Sequence, residues 1–411
     1  RMLRHACRVA DPAQAEFFWL IGPGSLGQTL DKVAYAKRTL PYWNRSFAEN
    51  KARHILMFLS ERGPGDAFPI NELRVGRYNK LPEDINPASP RRAWLMLTFN
   101  GMADLRPSPD ASAVVPDRAH PLRCLICFQP NKDIVIPFYP RTIDVPDCNV
   151  LRDGSDPLVV GPLNGDLAQG LHGRGGDEKL RTASQLDARW QGPIPVSSKA
   201  ATLTSKSRQR DVLLFFGGRM QPNLRHITSL TYYEGPHSPN VRADLLKLAD
   251  EPDFKIVNSI ADKSKRVDAI EWMGRSHFCW VPPGQRYGDP RRHIVAVFFG
   301  CIPVFTIPDG HYTLEELIPW KNISLTVSQS QLPMLPSILR AVSPKERERM
   351  RASAACAWRR LWFSSIYGNC LGESGGDDAF DGLMLTLAMR VGRGRAAHER
   401  SLHQCLRRHA E

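Results

Sequence analysis

No apolar run in this chain reaches the roughly eighteen residues that a membrane-spanning helix needs, and no signal peptide is visible. The first residue is Arg1 rather than Met, so an N-terminal segment is expected to precede it. No GxGxxG follows an early strand with an acidic residue about twenty positions on, and Gly22, Pro23, Gly24 and Gly27 fit neither that spacing nor a Walker sequence. A cytosolic Rossmann-type enzyme using a dinucleotide therefore lacks support. The formal net charge is +13, yet basic residues nowhere run interleaved with aromatics, and much of the excess lies near the C-terminus. That balance reads as a preference for anionic ligands or surfaces and not for nucleic acid. Metal-ligand spacing is scarce too. Of nine cysteines, Cys124 and Cys127 form a lone CxxC without a second pair or nearby histidine, which suits a disulfide or two buried thiols better than zinc. Cys279 and Cys301 fall in predicted core strands, where a free cysteine serves as a small apolar residue.

What is present is a folded α/β pattern. At 411 residues, 42% of them hydrophobic and 24% charged, the chain is long enough for two domains with full cores. The clearest stretch runs from Ser276 to Phe305 and parses as strand, loop, helix, strand. SHFCWV suits a strand buried on both faces, and PPGQRYGDP is a loop too rich in Pro and Gly to continue it. Pro290 suits a first helical turn, RRHIVAVFF is apolar after its basic start, Gly300 stops the helix, and CIPVF is the next strand. In such βαβ units ligands sit beyond the carboxyl ends of the strands. Arg291 and Arg292 lie at that spot.

Before this unit the pattern predicts strands at AEFFWL, HILMFL, WLMLT and KDIVIP, with a helix over 26–40. Residues 151–203 are rich in Gly, Ser, Asp and Pro and read as an irregular insertion plus linker. After them DVLLFF ends in Gly217 and Gly218. Helices near 241–249 and 267–275 flank the strand FKIV. TLEELI reads as a short helix, ISLTV as a strand, and 343–363 as one long terminal helix that packs back toward the first half. Alternating strands and helices argue two doubly wound parallel sheets, the break falling between about Gln191 and Arg208. Two sequons, Asn44-Arg45-Ser46 and Asn322-Ile323-Ser324, permit glycosylation if the chain enters the secretory pathway.

Five stretches, DPAQAEFFWL, PYWNRS with the strand at His54, CFQPNKDIVIP, RDVLLFFGGR and the run from Trp272 to Pro303, carry a resemblance to the exostosin-family glycosyltransferases. The resemblance implies a GT-B-like α/β fold of two Rossmann-like lobes facing a cleft. Residues 1–195 would form the acceptor-side lobe with its irregular insertion, 208–342 the nucleotide-sugar lobe, and 343–411 a terminal helix and basic tail. It implies an inverting transfer, without a required metal or cofactor, from a nucleotide sugar, usually a UDP-sugar, to a glycan or glycoprotein acceptor. It also implies a Golgi-lumenal, type II membrane protein whose anchor lies outside this sequence, and leaves a homo- or heterodimer open. A non-catalytic glycan-binding relative or partner subunit is the alternative.

A diphosphate leaving group needs positive protein charge in place of a metal ion. Arg292 matches the family's arginine after the Gly-rich loop, and its fork suits bidentate phosphate binding. Gly217, Gly218, Arg219, Arg242, Ser276, Pro283, Gly284 and Asp289 complete the implied donor-binding set. Where many relatives carry a ribose-contacting glutamate three residues after the arginine, this chain has Val295, which accepts no hydrogen bond. For the general base, relatives have Asp-x-Gly where this chain has Glu61-Arg62-Gly63, making Glu61 the first candidate and His54 the second.

Overall fold

The computed structural model describes residues 9–20, 28–40, 42–49, 51–58, 82–86, 89–99, 101–102, 128–137, 210–218, 240–258, 269–282, 292–306, 310–363, 378–396, 398–400 and 402. The predicted interlobe break and the 151–203 insertion lie outside these residues.

In the N-terminal half, short apolar segments pair as β1 (Phe18–Trp19), β2 (His54–Phe58), β3 (Trp94–Thr98) and β5 (Ile134–Val135), in that order and all parallel. Side chains alternate across a strand, which divides this sheet's residues cleanly. Leu56, Trp94 and Met96 pack with Val33 and Ala36 of α1 (Gln28–Thr39) and Trp43 of α2 (Trp43–Ala48). Ile55, Leu95, Leu97 and Ile134 face the other way.

The C-terminal half builds a five-stranded parallel sheet from β6 (Val212–Gly218), β7 (Phe254–Asn258), β8 (Ser276–Val281), β9 (Ile302–Phe305) and β11 (Leu325–Thr326), in the spatial order β7-β6-β8-β9-β11. The continuous apolar runs are buried on both faces, as a parallel sheet requires. Leu214, Phe216, Phe278 and Trp280 meet α3 (Asn240–Leu246) and α7 (Leu335–Ala341) on one face. Phe215, Cys279 and Val281 meet α4 (Ala269–Arg275) and α5 (Arg292–Phe298) on the other. Gly300 ends α5 at φ +64°, a conformation that glycine adopts without a Cβ penalty. The α/β class with two parallel sheets is thus what the chain folds into.

The core containing Phe215 and Val281 also contains Ile55, Leu97 and Ile134, so the two sheets share apolar packing. A two-stranded ribbon, β4 (Gly101–Met102) against β10 (Gly310–His311), joins them beyond the carboxyl ends of β3 and β9. The Leu314 N–H also donates to the Val135 carbonyl at 2.8 Å.

Three expectations are corrected. TLEELI forms consecutive turns and not a helix, because Leu314 takes φ +44° and its N–H bonds across to β5. The predicted 343–363 helix stops early: α8 (Pro344–Ala355), capped by Ser343, gives way to a 3-10 turn at Trp358–Leu361. It packs against α6 (Trp320–Ile323) and β9 in its own half. Ala354, Ala357, Leu361 and Trp362 nonetheless enter the core shared with the first sheet, and α9 (Ala379–Arg390), in the stretch expected as a basic tail, enters it as well. Asp378 caps it by accepting from the Phe380 and Asp381 N–H groups, and Leu383 and Leu387 enter the shared core. Finally, Cys279 and Cys301 are not free thiols but a disulfide joining β8 to the residue before β9.

Arg92 and Asp133 form an ion pair with no exposed side-chain surface. Asp133 also accepts from the Met96 N–H at 2.7 Å and the Gln129 N–H at 2.7 Å. Burial pushes its carboxyl up, while Arg92 and these two N–H groups hold it down. Removing one partner of a buried pair strands the other charge. Asp133→Ala is expected to cost about 3–5 kcal/mol, read as a lower urea midpoint at unchanged slope. A loss below about 1 kcal/mol would show that Arg92 finds another partner.

Candidate functional site

From β6 the chain crosses to β7 on one side, and from β8 it crosses to β9 on the other. In an open parallel sheet that reversal opens a crevice at the carboxyl ends of the two strands, where ligands bind. β6 ends there in Gly217 and Gly218. A Cβ on Gly218 would come within 2.8 Å of Nη2 of Arg292 and 2.8 Å of Cζ of Phe216. Glycine is what lets the guanidinium lie against the strand end.

Two helices deliver charge to this point. Arg292 is the first residue of α5, whose following residues are all buried; His293 anchors that turn, its Nε2 lying 3.1 Å from Oγ1 of Thr313. The Arg292 guanidinium carbon sits 4.9 Å from the centre of the Phe216 ring, and that of Arg242, from α3, sits 6.0 Å from the same ring. The ring is fully buried and held edge-on by Trp280 at 5.0 Å. Each cation gains about 0.5–2 kcal/mol over such a face. Burial pushes the Arg242 guanidinium below its ordinary value, since desolvation disfavours the charged form. Two cations drawn to one aromatic ring at the reversal point make a patch suited to a multiply charged anion.

The ribbon between the sheets adds a second feature. His311 Nδ1 lies 2.7 Å from Oε1 of Glu315, and both side chains reach the surface, at 26% and 38% exposure. The imidazole also rests near Phe128 of the N-terminal half, at 5.4 Å. Tyr312 stacks on Phe305 at 4.0 Å, and Thr313 bonds His293, so this turn is seated on the start of α5. The carboxylate orients the ring and leaves Nε2 for another partner, the arrangement a general base uses.

Of the sequence-predicted donor residues, the structure brings together Gly217, Gly218, Arg242 and Arg292. Arg219, Pro283, Gly284, Asp289 and Glu61 lie outside the described residues. Two candidates are corrected by position. Ser276 opens β8, at the edge opposite Gly218; it is fully buried, its hydroxyl donates to the Trp272 carbonyl, and its own carbonyl accepts from Arg210. His54 opens β2, likewise at the amino edge, and is fully buried between Phe18 and Trp43, with Nδ1 3.3 Å from the Ala93 carbonyl. A residue in that position reaches no acceptor. Val295 is 7% exposed and packed in the shared core. Sequence reasoning passed over Phe216, whose signal is its place before the Gly-Gly pair, and over His311 and Glu315, whose signal is their four-residue spacing.

Residues 189–342, which include all four clustered residues, match the Exostosin GT47 domain family. Among similar curated proteins is one named "Probable beta-1,4-xylosyltransferase" from Arabidopsis thaliana, 37% identical over 32% of this chain and 29% of that protein. Another, "Probable glucuronosyltransferase" from Oryza sativa subsp. japonica, is 32% identical over 32% of this chain and 28% of its own length. A "Probable glycosyltransferase" of Arabidopsis thaliana is 30% identical over 29% and 25%. The chain thus spans under a third of the length of these relatives.

Burial holds His54 neutral down to about 4, and burial with Arg347, Arg351 and Arg210 does the same for His277, also to about 4. Both pKa values are lowered, so between pH 6.5 and 4 the unfolded chain binds protons that the folded one refuses, and stability falls as pH falls. Between pH 7 and 5 the loss should be on the order of 2 kcal/mol for His54, read by urea unfolding. The double variant His54→Gln, His277→Gln should show a shallower pH slope whatever its absolute stability.

Proposed function

We propose, on the premise that residues 189–342 form an exostosin GT47 domain, that this protein is a glycosyltransferase. It takes a sugar from a nucleoside diphosphate donor, with uridine as the nucleoside, and passes it with inversion to a hydroxyl of a glycan or glycoprotein. The observation that carries this reading is the convergence of Arg292 and Arg242 on Phe216 beside Gly218. The donor diphosphate binds there. As the bond from the anomeric carbon to the diphosphate breaks, charge grows on the leaving oxygen, and prepositioned guanidinium groups stabilise it more than they stabilise the ground state. The acceptor oxygen enters from the opposite face and loses its proton to a base. His311, held by Glu315, is one candidate for that role; Glu61, the sequence candidate, follows β2 in the chain and lies outside the described residues.

The Cys279–Cys301 disulfide supports folding in an oxidising compartment, in keeping with a lumenal Golgi enzyme. No helix among the described residues is long and apolar enough to cross a membrane. A binding-only relative is the second reading, favoured by one observation: Val295 faces the core and offers a ribose no acceptor.

Thermal-shift screening with UDP-, GDP- and CMP-sugars identifies the donor, because a ligand selective for the folded state stabilises it. Arg292→Ala should weaken UDP binding ten- to a hundredfold, about 1.5–3 kcal/mol, at unchanged stability. Gly218→Ala should do the same by displacing the guanidinium. Unchanged affinity by calorimetry in both variants would overturn the assignment.

Turnover separates the two readings and the two bases. Glu61→Gln or His311→Gln, whichever removes the base, should lower turnover by roughly 10² to 10⁴ while donor binding stays intact. Full turnover in both variants places the base elsewhere. Donor binding without any transfer by the unmodified protein selects the binding-only reading.

A further inference from the structure

The two Asn-X-Ser tripeptides have no part in the proposed transfer. Asn44 lies in α2 and Asn322 in α6, and both side chains are exposed. Neither amide makes a side-chain hydrogen bond among the described residues. Their neighbours point the other way: Trp43 is fully buried, as is Ile323. Each asparagine thus stands on the outer side of a short helix whose inner side is in the core.

The serines two positions on behave differently. Ser46 is fully buried and its hydroxyl donates to the Tyr42 carbonyl at 3.0 Å. Ser324 is 7% exposed and its hydroxyl donates to the Trp320 carbonyl at 2.5 Å. A transferase that recognises Asn-X-Ser must reach both the amide and the hydroxyl. In the folded protein it can reach only the amide. The Cys279–Cys301 disulfide, both sulfurs carried by residues at most 2% exposed, argues that this chain folds where disulfides form, which is also where such transferases work.

We propose that Asn44 and Asn322 carry N-linked oligosaccharides and that both are attached before α2 and α6 form. The donor is an oligosaccharide joined through a diphosphate to a polyprenol lipid. The asparagine amide nitrogen attacks the anomeric carbon, the bond from that carbon to the diphosphate oxygen breaks, the lipid diphosphate departs, and one amide proton passes to the transferase. Once folding follows, each glycan projects into solvent without displacing a protein contact, while the serine hydroxyls close their helical bonds. Placement keeps the glycans clear of the donor patch. α6 ends at Ile323, its C-cap Ser324 lying immediately before β11, and α2 precedes β2. Both glycans therefore sit toward the amino edges of their sheets, and Gly218 and Arg292 sit at the carboxyl edge.

The inference rests on the disulfide and the two helices and not on the transferase reading, so UDP binding by the same sample is scored separately. The protein isolated from the cells that make it is treated with peptide N-glycanase in water labelled with oxygen-18. Labelled aspartate at 44 and at 322 is the expected result, and unmodified asparagine at either position overturns the proposal for that site. Timing is read by offering the lipid-linked oligosaccharide and microsomal transferase to unglycosylated protein, folded and disulfide-intact in one arm, reduced and unfolded in the other. Modification confined to the unfolded arm is expected. Equal modification of the folded protein would overturn the stated order of events. Asn44→Gln and Asn322→Gln, expressed into a eukaryotic secretory lumen, should each remove one mobility step.

Discussion

One guanidinium ties the two halves of this molecule together. Arg390, in the last turn of α9, donates from Nε and Nη2 to Oε1 of Glu316, at 2.9 and 2.5 Å, on the turn after β10. It also donates to the backbone carbonyls of Lys132 and Asp133, just before β5. Neither half alone presents this set of acceptors. A single planar fork can satisfy a carboxylate and two carbonyls at once because its donors are fixed in one plane, and a lysine in that place would have to choose among them. The residue it reaches, Asp133, is itself the buried partner of Arg92. Arg390 thus grips the backbone of the same residue whose carboxylate pairs with Arg92, while Leu383 and Leu387 of α9 join the shared core.

That arrangement explains why the chain beyond residue 342 matters to a site it does not enter. The Arg292–Arg242 patch lies at the end of β6, the His311–Glu315 pair lies by the ribbon, and both are seated on α5 through Phe216, His293 and Thr313. α5 is in turn packed by Trp362 against Phe298, edge-on at 5.5 Å, and shares a core with α9. Side chains that read, in the sequence, as a basic tail add to the ribbon and the shared core in joining the two sheets. The local cues for α9 were present: Asp378 as cap, an apolar run, and Gly392 after it. Its basic flanks drew attention to charge, and only tertiary burial shows that the apolar face has somewhere to go.

The second half was the more legible part, and for a physical reason. Strands buried on both faces must be apolar throughout, so DVLLFF, SHFCWV and CIPVF announce themselves, and Gly300 marks the helix end because positive φ is cheap there. Less legible was anything that depends on which end of a strand a residue occupies. His54 and Ser276 were chosen from motifs, yet each opens a parallel strand and so lies at the edge away from the crevice; strand direction, which the sequence does supply, was enough to exclude them. Pairing of Cys279 with Cys301 was out of reach, since nine cysteines leave many connectivities open. TLEELI misled because a helical pattern says nothing about Leu314 surrendering its N–H to a strand of the other half.

The convergence on Phe216 shows what only the fold could reveal. Arg242 and Arg292 stand fifty positions apart, on different helices, and nothing in their spacing marks them as neighbours. Burial takes hydration from the Arg242 guanidinium, a loss that disfavours its charged form. An aromatic face offsets part of it, and the missing Cβ at Gly218 gives Arg292 its place without a steric penalty. Packing against the ring limits the rotamers open to both side chains, so an anion meeting them there would immobilise less than it would with freely rotating arginines. The same two features, a ring that both cations face and a glycine that admits one of them, set positive charge at the carboxyl end of β6.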